Sequence, residues 1–402
     1  MNRLRRDLER AAREREDPAA RERSLRVVRA AYDELAPRPR RWPWRAFLAT
    51  ALLAAVGAAG VAAASAPRSD VGRFVRGVLG VGEPRATPAL VRVPGGGRLL
   101  VSAGDDAWIV ATDGAKRRLG AYTGASWSPR GMFAVVWRGR ELTAVDPRGR
   151  VRWSLPGERA VADARWAPGD GHLIAYRSGG ALRIVGGDGA GDHRLASSHR
   201  AVAPAWRPDA THTLAYTDER GRVTVVDVDA AGDTGVRRWR GQPLSGVREL
   251  LWSPRNDRLL AVGARRLTLY GAGGTLLASR PLPAGARAEH AAWTPRGSRI
   301  ALVRSNARTT RSEIVLVDAA DDLRARPLFG RLGRFGAPAW SPDGRWLLLP
   351  WPAADQWLFL RPEARARAAG EARPTAVANI ARQFAPGADR VAFPRSVQWC
   401  CP

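Results

Sequence analysis

The sequence predicts an all-β ring of repeated four-stranded sheets, carried behind a single membrane-length helix. Three observations predict it: a tryptophan–proline motif that returns at near-constant intervals, period-two apolar runs between its copies, and one uncharged stretch of 21 residues near the N-terminus. A unit of about forty residues with strand periodicity cannot cover its own two faces. Stacking such units radially buries those faces and leaves only short edges, which is the β-propeller architecture.

Residues 1–45 carry 14 arginines against eight acids. Leu4, Leu8, Ala11 and Ala12 fall at helical spacing, and Asp17-Pro18 caps and starts a second helix whose apolar stripe is Leu25, Val28, Tyr32 and Leu35, ending before Pro37. So narrow a stripe reads as a cytoplasmic amphipathic segment, resting on anionic headgroups or docking a cytoplasmic protein partner. From Ala46 to Ala66 no charge occurs, and at about 1.5 Å per residue that helix covers roughly 30 Å, a bilayer's hydrocarbon thickness. Trp42, Trp44 and Arg45 flank it as interfacial anchors. Ala64-Ser65-Ala66 has the pattern of a peptidase site, but the 45 residues ahead of the apolar run and Pro67 just after it favour an uncleaved anchor. Residues 26–45 hold six arginines and residues 67–86 hold four, so the N-terminus is expected in the cytoplasm and the rest outside a bacterial plasma membrane. A linker over 67–88 then leads to the propeller, 89–402.

The motif is Trp-(small)-Pro-(Arg/Asp)-Gly followed by an apolar strand. Its copies begin at Trp127, Trp166, Trp206, Trp252, Trp293 and Trp340, with a worn copy at Phe384, spaced by 39, 40, 46, 41, 47 and 44 residues. Within a unit the Pro–Gly turn separates two strands, a third run ends in an Asp turn such as Glu141–Gly149, and a fourth strand forms the outer edge. Six full units run from Trp127 to Gln383; residues 93–126 supply about three more strands and 384–402 one or two. Joining the two ends in one composite blade makes seven, with six or eight as the alternatives that loose boundaries leave. The anchor tryptophans are expected to pack between blades.

Trp340-Ser341-Pro342-Asp343-Gly344, the apolar strands and the Asp turns resemble the TolB-like class of propeller, a WD-repeat-like architecture, over residues 93–402. The resemblance implies the fold; propellers of this kind bind proteins, glycans or peptides, so it implies no particular ligand.

The apolar fraction of 45% excludes wholesale disorder, and two cysteines, Cys400 and Cys401, exclude a disulfide scaffold or a cysteine zinc site. Those two could pair with each other, cross-link two chains or remain thiols. The net charge is +27, but with Lys116 as the one lysine among 65 basic residues the arginines read as codon bias, so nucleic acid is not an expected partner. None of the five histidines has metal-ligand spacing, and neither a nucleophile elbow nor a phosphate-binding loop occurs, so no cofactor and no enzymatic activity are expected. Arg138, Arg177 and Arg304 each follow the same apolar strand, and radial symmetry would gather them on one face for an acidic protein or anionic polymer. The functional expectation is a membrane-anchored, extracytoplasmic binding or sensing module. The alternative is a transmembrane regulator, laid out like an anti-sigma factor, whose N-terminal helices hold a cytoplasmic partner.

Overall fold

The computed structural model describes Thr87 and residues 89–401, except 170–171, 198–201, 209–211, 229–235, 307, 363–373 and 386–390. The expected cytoplasmic segment (1–45), the membrane helix (46–66) and, Thr87 apart, the linker (67–88) lie outside the described residues. Among the described residues no helix is long and apolar enough to cross a membrane.

Seven four-stranded sheets make seven blades. Blades 2 to 7 are continuous in sequence, over 124–156, 161–197, 205–243, 247–281, 286–332 and 339–377; blade 1 combines 98–120 with the closing strand Ser396–Cys400. The first strand of each blade touches the first strand of the next, and the last of these contacts joins Ser396–Cys400 to Gly124–Trp127, so the ring is closed. These first strands surround the axis. The outer strands are the exposed ones: Val151–Pro156 has no buried residue, whereas Arg258–Gly263, second in its blade, buries every residue but Arg258.

Burial on both faces of the middle strands follows from the radial stacking. The core is correspondingly divided into seven clusters, one between each pair of adjacent blades. Between blades 5 and 6, for example, Leu260, Val262 and Leu269 close on Trp293, Leu302 and Val315. Each such covered side chain contributes roughly 1.5–3 kcal/mol. The anchor tryptophans at 127, 206, 252, 293 and 340 are buried and Trp166 is half-buried, all in these seams. Three of them donate their indole N–H to the inner strand of the preceding blade: Trp206 to Arg165 O (2.9 Å), Trp293 to Leu251 O (3.0 Å) and Trp340 to Ala292 O (3.3 Å).

The Trp-Ser-Pro-x-Gly turn is held by its serine. Ser341 N–H donates to Trp346 O (2.9 Å), Ser341 Oγ accepts from Trp346 N–H (2.9 Å), and Gly344 N–H closes on Ser341 O (2.8 Å) with Gly344 at φ 69°. Ser128 repeats the arrangement with Phe133 and Gly131, and Thr294 with Arg299 and Gly297.

Phe384 is not the seventh anchor. It ends a short helix, α1 (Ile380–Gln383), and is buried against Trp357 and Trp108, with ring centroids 5.5 and 6.0 Å away. Trp399 takes the anchor position: it pairs with Leu99 as Trp127 pairs with Ala134 and Trp340 with Leu347. The chain is cut inside this blade's first turn, so the Pro–Gly half of the motif is supplied by Pro94 to Gly97, where Gly96 N–H closes on Val93 O (3.3 Å). The two halves of one motif therefore stand at opposite ends of the propeller, about 300 residues apart, out of reach of any search for a contiguous repeat.

Candidate binding site around the propeller axis

Along each first strand, burial alternates with the pleat. The anchor tryptophan and the residue two before it face the seam with the preceding blade, as Trp252 and Leu250 do, or Trp293 and Ala291. Most residues one and three before the anchor are half-buried and turn toward the axis and the following blade. In blades 1, 2, 4 and 7 these positions hold Gln398, Ser396, Ser126, Gly124, Ala205, Ala203, Ala339 and Ala337, nearly all small. Blades 3, 5 and 6 differ, with Arg165 and Asp163, Glu249, and His290.

A first strand has an unpaired edge toward the axis, and side chains of the preceding blade reach across to satisfy it. Gln398 accepts from Trp127 N–H (3.2 Å) and donates to Ala125 O (3.1 Å). Glu249 accepts from Ala291 N–H (2.8 Å), while its other oxygen meets His290 Nδ1 at 2.8 Å. The same strands are bulged. In blade 3 the register skips between Ala162 and Arg165, with Asp163 at φ 55°; in blades 5 and 6 it skips between Val247 and Glu249 and between Ala288 and His290. Bulges re-aim side chains, and here they bring charged groups of three blades to one part of the ring. Arg248 Nη1 meets Glu289 at 3.0 Å, and Asp163 lies 3.1 Å from Arg177 Nε. Burial lowers the pKa of the Arg165 guanidinium, opposed by Asp163 and by Glu249, which acts on it past the intervening blade 4.

At one end of the ring the first turns overlap like shingles. Arg207 Nε of blade 4 donates to Asn256 O of blade 5 (2.9 Å), and Arg98 Nη2 of blade 1 to Gly131 O of blade 2 (2.9 Å). The Arg255 stem covers Gly297 so closely that an added Cβ would lie 2.7 Å from Arg255 Cγ. The turn tips carry Arg130, Arg255 and Arg296, all exposed and all in the same motif position of blades 2, 5 and 6. At this mouth a cavity of about 690 Å³ is lined by Pro129, Trp293, Trp340, Pro342, Trp399 and the Cys400–Cys401 pair. Those two cysteines are bonded to each other, which selects among the three readings left open by the sequence. A second cavity, about 650 Å³, lies between blades 2 and 3 under Met132, Phe133, Trp166, His172 and the glycine-rich turn at 186–191.

The three arginines singled out in the sequence are not equivalent. Counting from the residue paired with each anchor (Ala134, Ile174, Ile300), Arg138 and Arg304 are both four residues on, but Arg177 is three on and so projects from the opposite face of its strand. Arg304 lies 2.7 Å from Glu313, and Arg177 is engaged by Asp163. Arg138 and Arg304 sit at the end of the second strand, away from the turn tips. The turn-tip arginines and the axial Arg165, Glu249 and His290 were missed. For the turn-tip arginines the available signal was their fixed offset of three residues after each tryptophan.

No protein-family model matches the chain, and no curated protein sequence does. Solved structures do match in fold. The Cps50 (Swd1) β-propeller domain of Myceliophteria thermophila is similar at a TM-score of 0.54 and 16% identity, over 67% of this chain and 94% of that one. A chain in the crystal structure of the Mitotic Checkpoint Complex is similar at 0.52 and 17%, over 72% and 94%. A Bacteroides uniformis protein provisionally named a 6-phosphogluconolactonase is similar at 0.55 and 13%, over 76% and 99%. The fold is a seven-bladed, WD-repeat-like β-propeller. At these identities the likeness is one of fold.

Proposed function

We propose that the chain is a binding module whose propeller is held at the outer face of a plasma membrane by residues 46–66, with residues 1–45 in the cytoplasm. The observation that carries the binding role is the overlap of first turns between blades 1 and 2, 4 and 5, and 5 and 6 at one end of the ring, beside a cavity and with exposed arginines at equivalent tips. Such a surface suits an acidic protein or an anionic polymer. The similarity to a chain in the Mitotic Checkpoint Complex supports a protein as the partner. The anchor rests on the uncharged Ala46–Ala66 and its arginine and tryptophan flanks.

Two experiments test this. Reporter fusions after residue 402 and ahead of residue 1 should report opposite sides of the membrane; a cytoplasmic signal from both refutes the anchor. Binding of a soluble polyanion such as heparin should weaken with salt and fall in the triple variant Arg130→Ala/Arg255→Ala/Arg296→Ala. If the fall instead follows Arg138→Ala/Arg304→Ala, the binding face is the opposite end of the ring. A cytoplasmic protein lost from pull-downs when residues 1–45 are deleted would turn the reading toward a transmembrane regulator.

A further inference from the structure

We infer that the axial cluster of blades 3, 5 and 6 is a binding site for a carboxylate group, which Arg165 grips. This goes beyond the proposed function and depends neither on the anchor nor on the overlapping first turns. A guanidinium carries five N–H donors in a planar fork. That of Arg165 makes one bond among the described residues, from Nη1 to the backbone Ala164 O (3.0 Å), and no carboxylate there stands within ion-pair distance of it. Charged groups removed from bulk water are normally paired. The acids on the neighbouring strands are already engaged: Asp163 by Arg177 (3.1 Å), Glu289 by Arg248 (3.0 Å) and Ser305, Glu249 by Ala291 N–H (2.8 Å) and His290. The fork's remaining N–H groups thus have no hydrogen-bond partner among the described residues, while Asp163 and Glu249 act on its charge from a distance.

The surroundings fit a small acid. The equivalent positions of blade 4, between Arg165 and Glu249, are the small Ala203 and Ala205, and blade 6 has Ala292 beside its anchor. Glu249 defines the second contact. A carboxylate accepts only, so His290 donates its Nδ1 proton to it and, in the neutral ring, keeps a lone pair on Nε2. A ligand with a carboxylate for Arg165 and an O–H or N–H for Nε2 meets both groups. Free small acids and the C-terminal residue of a peptide share that chemistry.

The test is calorimetric titration of the full-length chain at neutral pH and fixed ionic strength with succinate, with the tripeptide Gly-Gly-Gly, and with the C-terminal amide of that tripeptide. At least one acid probe should saturate, and Arg165→Gln should weaken it by about tenfold or more, the range for a lost charge-assisted fork. Arg165→Lys should recover part of the loss, and Arg118→Gln, at the ring's periphery beside Asp106, should bind as the parent does. Thermal midpoints of the variants check that they remain folded. Succinate binding alone identifies a free acid; binding of the tripeptide but not its amide identifies a peptide terminus. The proposal is overturned if neither acid binds, if the amide binds as well as the acid, or if folded Arg165→Gln binds like the parent, which would assign the signal to surface arginines.

Discussion

Removing residues 396–402 takes out the inner strand of blade 1 and should open the ring. The strand is paired over five positions, from Arg98 with Cys400 to Ser102 with Ser396. At about 1 kcal/mol net for each hydrogen bond, its ladder contributes roughly 4–5 kcal/mol. Trp399 Nε1 to Gly96 O (2.8 Å) and the two Gln398 bonds to blade 2 add about 1 kcal/mol each. Burial of Val397 and of much of Trp399 adds roughly 3–4 kcal/mol. The total, about 10 kcal/mol, is comparable to the whole stability of an ordinary domain, about 5–15 kcal/mol. The expected outcome is loss of the cooperative urea transition followed by tryptophan fluorescence, with rapid proteolysis in blade 1. A truncated chain that unfolds in one step at the parent's midpoint would refute closure by this strand.

Other substitutions probe single features. Gly131 and Gly104 both have positive φ (62° and 56°), but a Cβ at 131 would meet Cys401 Sγ at 2.8 Å and Arg98 Nη2 at 2.9 Å, while none lies within 4 Å at 104. Gly131→Ala should therefore cost about 2–3 kcal/mol and Gly104→Ala about 1 kcal/mol in denaturant unfolding. Trp340→Phe removes the bond to Ala292 O and should cost about 1 kcal/mol more than Trp252→Phe, whose indole N–H has no partner among the described residues. Burial, together with the hydrogen bond to Asp192 (2.7 Å), raises the pKa of Tyr176, so spectrophotometric titration should find its phenol un-ionised at a pH where a free tyrosine, with a pKa of about 10, has titrated. The backbone N–H of Arg150, with that of Arg148, lowers the Asp146 carboxyl below its ordinary 3.8. Its stabilising effect is therefore complete above the unfolded-state value, about 3.9, and is lost as pH falls through the lower folded value. The stability gap between parent and Asp146→Asn should close over that acidic window.

The ring was legible because its cause is repeated. Every blade needs a bulky group in the seam and a turn that reverses tightly, so Trp127, Trp166, Trp206, Trp252, Trp293 and Trp340 recur in register. The strands of blade 1 were also readable, since its apolar alternation survives the division of the chain. Trp399 was not: its partner turn lies at Pro94 to Gly97, and Phe384 imitates the motif while packing beside a helix. The axial groups escaped for the opposite reason to the anchors. Arg165, Glu249 and His290 occupy positions that other blades fill with small residues, so they break the repeat. Asp163 adds a backbone bulge that no spacing rule anticipates. Arg177, grouped in sequence with Arg138 and Arg304, belongs instead to that bulge, because a one-residue difference in register reverses the side of a strand.

The composite blade also sets a timetable for biosynthesis. Trp399 bonds to Gly96 across 303 residues of sequence, so six blades are synthesised before the one that locks them together can exist. Until then the nascent arc has two open ends, one at blade 1 and one at the growing tip, each with apolar strands awaiting a neighbour. Pairing so non-local forms slowly, and the two ends stay uncovered until it does. Premature termination anywhere in the propeller therefore leaves not a smaller ring but an open one, a natural substrate for chaperones and quality-control proteases.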